Sequence, residues 1–226
     1  MPTATGLSFL AGVVFGLALA APPGPMNAII AEESVARGWV AGFVTGLGAM
    51  VADVVFFVLA LFGLVAVVEE APRLRGVMVT VGGVLMLYFA VGAFRSARAT
   101  LVETDEVGDA RGFWKALALG LTNPFQVLFW LTVGVALLDP GRLDVLEHLP
   151  YVGETLAGAV VVETGSAALL VGLFAGIVVW IVAFPAALLT AGRRVDSFAP
   201  LVAGASALVL AGFGLVFFWD GLTSVR

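Results

Sequence analysis

Residues 21–27 read Ala21-Pro22-Pro23-Gly24-Pro25-Met26-Asn27, and they interrupt an otherwise apolar stretch running from Gly6 to Ala36. Three prolines and a glycine in so short a run cannot sit in a continuous helix, because each proline lacks a donor and clashes with the preceding turn. Apolar chain flanks the break on both sides, so the interruption falls at membrane depth if this stretch is a span. Non-helical backbone survives there only when it is buried in protein or lines a cavity. A helix restarting after the break presents unpaired N–H groups and a partial positive charge. That end suits a carboxylate, and Asn27 adds an amide in the first turn. A kink that serves only packing is the alternative.

The rest of the chain fits a membrane setting. Of 226 residues 61% are hydrophobic and 12% charged, with a mean hydropathy of +1.10, against roughly 25% charged in soluble domains. The charges fall in short clusters between apolar stretches long enough for the ~20 helical residues that cross a bilayer core. Six spans are predicted: about Gly6–Ala36, Trp39–Val68 (closed by Glu69, Glu70 and Pro72), Leu74–Phe94, Phe113–Leu138, Ser166–Ala191 and Pro200–Leu222. Polar stretches Arg95–Gly112 and Asp139–Gly165 separate some of them, the second reading as a mixed loop with a short surface segment. The first span imitates a signal peptide, but no Lys or Arg precedes Arg37, so it reads as a retained helix. The net charge of −5 argues against nucleic acid as a partner. The absence of cysteine excludes disulfide and thiol chemistry. His148, beside Glu147, reads as a solvated loop residue, and no cofactor is implied.

The two halves echo one another. Gly42-x-x-x-Gly46 opens the second span as Gly172-x-x-x-Gly176 opens the fifth. Pro72-x-x-x-Gly76 opens the third as Pro200-x-x-x-Gly204 opens the sixth, and Pro25 interrupts the first as Pro124 interrupts the fourth. An odd number of spans per repeat turns the second copy over, which is the inverted-repeat plan of secondary transporters. The expectation is an all-α integral membrane protein of six transmembrane helices, forming two inverted three-helix repeats with helices one and four broken. Residues 1–97 and 113–226 are the repeats, and 98–112 is the polar loop between them. Basic residues set the orientation: Arg37, Arg95, Arg98, Arg111, Lys115, Arg193 and Arg194 on one side, against Arg73, Arg75, Arg142 and Arg226 on the other. The richer side should be cytoplasmic, which puts both termini outside.

Asp53 is the sharpest single signal. It lies near the middle of the second span, where a carboxylate costs roughly 2.5–3.5 kcal/mol and such residues usually face the bundle interior or a water-filled cavity. Gly42, Gly46, Ala49 and Asp53 share one helical face, a stripe that lets another helix or a pocket come close. Asp53 reads as a counter-ion for a substrate ammonium or as a protonatable coupling site, with a structural, protonated Asp as the alternative. In the fourth span Thr122-Asn123-Pro124-Phe125-Gln126 puts two amides and a hydroxyl around a proline. Trp130 lies near the same face and either walls a pocket or packs. Glu32 and Glu33 read as solvated charges at a helix end, or less simply as a vestibule for a cation. Asp220 needs no special role, and Gly12-x-x-x-Gly16 reads as close helix packing.

The stretch Ala21–Asn27, then Arg37-Gly38, then Gly42-x-x-x-Gly46-x-Gly48 through Asp53 to Gly63, resembles the lysine-exporter (LysE/RhtB-type) family. In the second half Phe113, Leu121-Thr122-Asn123-Pro124 and the pair Phe129-Trp130 resemble it too. The doubled proline Pro22-Pro23 and the long loop Asp139–Gly165 depart from its pattern. The resemblance implies efflux of amino acids or related small amines across a prokaryotic plasma membrane, driven by an ion gradient. It would place Pro23, Gly24, Pro25, Asn27, Asp53, Asn123 and Pro124 at or near the site.

The reading of the whole chain is a secondary transporter, not an enzyme, that exports an amino acid or a similar zwitterion or amine. The partners expected are the lipid bilayer and the small substrate, with a homo-oligomer left open. Pro23, Gly24, Pro25 and Asn27 would hold the substrate carboxylate. Asp53 would meet the ammonium or carry the coupling proton, and Asn123, Pro124 and Gln126 would complete the site. A metal-cation exporter of similar architecture would want several membrane-embedded carboxylates, His or Cys, where this chain offers one Asp. A non-transporting scaffold would not need deep backbone breaks. An intramembrane enzyme would need a nucleophile–base pair or metal-ligand set, and the sequence shows neither.

Overall fold

A computed structural model describes residues 4–63, 72–98, 111–144, 161–192 and 198–225. The expected end of the second span at Val68, most of the polar loop 98–112, His148, Arg193, Arg194 and Arg226 lie outside the described residues.

The fold is helical. α1 (Ala4–Ala20) and α2 (Pro25–Arg37) flank the proline break, and α3 (Trp39–Leu61) and α4 (Pro72–Arg98) follow. The fourth apolar stretch comes in pieces: α5 (Arg111–Thr122), α6 (Pro124–Phe129), a π-helical turn (Trp130–Gly134) and α7 (Val135–Leu138). Strands β1 (Gly141–Asp144) and β2 (Val161–Thr164) precede α8 (Ala167–Gly192) and α9 (Phe198–Val225). Among the described residues four helices are long and apolar enough to cross a membrane: Trp39–Leu61, Gly76–Arg95, Ala167–Gly192 and Phe198–Thr223. Thr5–Ala20 with Pro25–Arg37, taken as one broken span, makes a fifth. The sequence pattern placed one further span at Phe113–Leu138. Its apolar residues are there, but Pro124 and the π-helical turn divide it into segments each too short to cross alone. The structure also adds to the all-helical expectation, for the ends of the Asp139–Gly165 loop pair as an antiparallel hairpin with Gly141 opposite Thr164. Four-residue strands are too short to leave an alternating signature.

The chain forms two compact units, residues 1–21 with 132–180, and residues 22–131 with 181–226. In the first, α1 packs backbone to backbone on the start of α8. A Cβ on Gly12 would come within 2.1 Å of the Leu169 carbonyl oxygen, and one on Gly172 within 2.1 Å of the Phe9 oxygen. Gly16 and Gly176 are as tightly placed. The two glycine pairs thus close on each other, the geometry that small-xxx-small spacing permits. The hairpin joins here: the Glu163 amide donates to Ser8 Oγ at 3.0 Å.

In the second unit α2 is enclosed by α3, α4, α5 and α9. Ile29, Met86, Leu119 and Leu210 are fully buried in one cluster drawn from α2, α4, α5 and α9. Ser206 Oγ donates to the Ala28 carbonyl at 2.9 Å, tying α9 to the α2 backbone. Gly38, with φ +93°, makes the turn from α2 into α3, a conformation that favours glycine. α3 wears its large apolar residues outside: Val54, Val55, Val58 and Leu61 are exposed, while Ala52, Asp53, Phe56 and Ala60 are buried. Water would penalise that distribution and lipid does not. The inner face is lined by small residues, so neighbouring backbones approach. A Cβ on Gly48 would meet the Phe113 carbonyl at 2.2 Å, one on Gly46 the Ile181 side chain at 2.7 Å, and one on Gly120 the Ala52 Cβ at 2.5 Å.

Candidate functional site

The first break is built by donor removal. The last bond of α1 runs from the Ala21 amide to Leu17 O at 2.8 Å, and Pro22 and Pro23 have no amide to continue it. Gly24 is fully extended and stands at the N-cap of α2, with Pro25 beginning the helix. Glycine has no side chain to cap the first turn, so the start of α2 keeps its positive end for another acceptor. Asn27 has a task that the sequence did not reveal. Its Nδ2 donates to the Pro22 carbonyl at 2.8 Å, bracing the break from within.

The second break is capped by its own residue. Asn123 Oδ1 accepts from the Phe125 amide at 3.1 Å, and Pro124 begins α6. One turn later Gln126 faces inward, and the π-helical turn opens on Trp130. Trp130 is 1% exposed, and its Nε1 donates to Asp53 Oδ1 at 3.0 Å. Asp53, on α3, is 6% exposed, so the stripe of Gly42 and Gly46 does carry it inward. The Gln126 side chain reaches the same carboxylate. Its Oε1 is buried with no hydrogen-bond partner among the described residues, a deficit worth about 1–3 kcal/mol. Phe57 stands edge-on to the Trp130 ring at 5.8 Å and closes one side.

Glu33 corrects the sequence reading. It was expected as a solvated charge at a helix end, yet it is 4% exposed. Arg37 donates to its Oε2 through Nε at 2.7 Å and through Nη2 as well, and Lys115 Nζ, on α5, donates to Oε1 at 2.9 Å. Burial comes from neighbours that the local sequence cannot show: the Cβ-less Gly112, on α5, lies close against the Glu33 side chain. Lys115 also lies over the Phe89 ring, 5.8 Å from its centre.

The eight candidate residues therefore sort into two groups. Pro23, Gly24, Pro25 and Asn27 form the start of α2. Asn123, Pro124 and Gln126 form the start of α6, and of these only Gln126 reaches Asp53. Trp130 completes that second group as a hydrogen-bond donor rather than as a wall. A buried indole usually finds an acceptor, and a mid-span Asp was the available one, but the pairing of α3 with the fourth stretch was not readable. Among the described residues no three His, Asp or Glu side chains converge as a metal-ligand set would.

Comparison with known proteins follows the same residues. The family model described as LysE type translocator matches residues 17–161, more than half of the chain. An uncharacterized membrane protein of Pseudomonas aeruginosa is 30% identical over 141 residues, covering 59% of this chain and 64% of its own. YcgF of Bacillus subtilis, named as a candidate amino acid efflux protein, is 30% identical over 132 residues, covering 55% of this chain and 61% of its own. The leucine efflux protein of Salmonella typhimurium is 26% identical over 140 residues, covering 58% and 62%. The chain thus spans somewhat under two thirds of the length of the curated relatives it matches. No solved structure matches.

Proposed function

Since the chain belongs to the LysE type translocator family, a family of multi-pass membrane transporters and not of enzymes, we propose that it exports an amino acid or a related small zwitterion or amine. The observation that carries this reading is Asp53, a carboxylate buried in the interior of an apolar helix and met there by Gln126 and Trp130. Such a residue inside a membrane is by default a substrate or ion site. The relatives named for amino acid and leucine efflux point to the same class of cargo. Export is driven by an ion gradient across the plasma membrane. The uncapped start of α2, Pro23-Gly24-Pro25 with Asn27 bracing it, holds the substrate carboxylate. Asp53 meets the ammonium or carries the coupling proton, and Asn123 and Pro124 set Gln126 beside it.

The architecture proposed for this task is six spans in two inverted repeats, residues 1–97 and 113–226, with the broken first and fourth spans facing the substrate. Counterflow in proteoliposomes tests the function: the purified protein is loaded with unlabelled amino acids in turn, and uptake of the labelled amino acid is followed. Exchange of at least one amino acid is expected. Exchange of divalent metals instead would favour the metal exporter. No exchange of either by monodisperse protein would leave the scaffold.

A further inference from the structure

Two acidic side chains on the helices of the second unit are nearly sealed from solvent, and their surroundings differ in kind. Glu33 has two resident cations, Arg37 and Lys115. Asp53 has none: no basic side chain pairs with it among the described residues, and what reaches it is an indole N–H and an amide. Neutral donors offset only part of the cost of taking a carboxylate out of water. Beside it Gln126, 7% exposed, keeps Oε1 without a donor. The Gln126 amide lies against Gly120, where an added Cβ would come within 3.2 Å of Oε1. Both deficits have the same sign, since the carboxylate lacks a positive charge and the carbonyl lacks a hydrogen to accept.

We infer that Asp53 and the side-chain carbonyl of Gln126 together form the subsite for the primary ammonium of the exported molecule. This rests on the proposal of amino acid export and assigns its amino end. A primary ammonium carries one charge and three N–H donors, enough for the carboxylate and the carbonyl at once. The terminal torsion of Gln126 is soft and can turn Oε1 to the incoming group while Trp130 holds Asp53 Oδ1 in place. The class of substrate follows: a molecule with a primary ammonium, in which replacing that group by hydroxyl abolishes recognition.

The test uses leucine counterflow by the full chain in proteoliposomes, with two competitors of matched carbon skeleton. 3-Methylbutan-1-amine keeps the ammonium and lacks the carboxylate; 2-hydroxy-4-methylpentanoate does the reverse. The amine is expected to inhibit the wild-type protein and the hydroxy acid to leave it unaffected. Gln126→Met, which keeps the volume and removes the carbonyl, should weaken inhibition by the amine about tenfold or more. Inhibition by the hydroxy acid equal to that by the amine overturns the assignment, and so does an unchanged amine affinity in Gln126→Met. If that variant fails to purify as one species, the two competitors on wild-type protein decide alone. Failure of every amino acid to exchange is a different result, and it removes the transport reading itself.

Discussion

The two helix breaks look alike in sequence, each a proline with an asparagine within two residues of it, and the structure uses them in opposite ways. At the first, Asn27 donates across the break to Pro22, and the helix that restarts has glycine at its cap. At the second, Asn123 turns round and accepts from Phe125, so the restarted helix is capped by its own side chain. The first break therefore leaves the restarted helix without a side-chain cap among the described residues. The second caps its own, and instead delivers Gln126 and Trp130 to Asp53. In the proposed function, one asparagine used as a donor and the other as an acceptor separates a place for a carboxylate from a place for an ammonium.

Pro25→Ala challenges this distinction most severely. It restores an amide where α2 begins, so counterflow is expected to disappear while the protein still inserts and purifies as one species. Near-wild-type exchange would reduce the first break to a kink. Asp53→Asn keeps the shape and removes the charge, and insertion becomes if anything easier. Loss of a buried charge partner costs about 2–5 kcal/mol, so substrate binding should weaken roughly 30-fold or more. If binding and counterflow persist and only gradient-driven accumulation fails, Asp53 is a proton site and the amino end lies elsewhere.

Smaller effects sharpen the same contrast. Glu33→Gln strands Arg37 and Lys115, and removing one partner of a fully buried pair costs about 3–5 kcal/mol. Both cations keep some solvent here, with side-chain exposures of 20% and 32%. The fall in melting temperature of the detergent-purified protein should therefore correspond to less than that, with leucine affinity in the folded protein unchanged. Asn123→Ala removes one cap and should lower stability by about 1 kcal/mol. A collapse of transport in this variant, as complete as that expected of Pro25→Ala, would make the two breaks equivalent after all.

Much of this was legible in the sequence where one residue imposes its geometry unaided. Proline and glycine mark the break at residues 21–25 and the starts of α2, α4 and α6. The small-residue stripe Gly42–Gly46 points Asp53 inward, and Gly12–Gly16 announces a close helix contact. What stayed hidden depends on partners distant in the chain. Glu33 looked like an ordinary terminal charge because Lys115 stands on another helix. Trp130 looked like packing because its acceptor is on α3. Asn27 and Asn123 have the same chemistry on paper, and only the backbone around each decides whether the amide gives or accepts a hydrogen. The π-helical turn at Trp130–Gly134 has no residue signature at all.

The glycine pairs of the first unit bear on how the chain is made. Gly12 and Gly16 lie in α1, and the surface they fit, Gly172 and Gly176, belongs to α8, synthesised long after it. A helix whose tightest partner arrives so late must wait in the bilayer with its glycine stripe uncovered, open to any other small-residue surface that drifts past. Final assembly of that unit is thus expected late in biogenesis, and truncation before α8 should leave the glycine face of α1 unmatched.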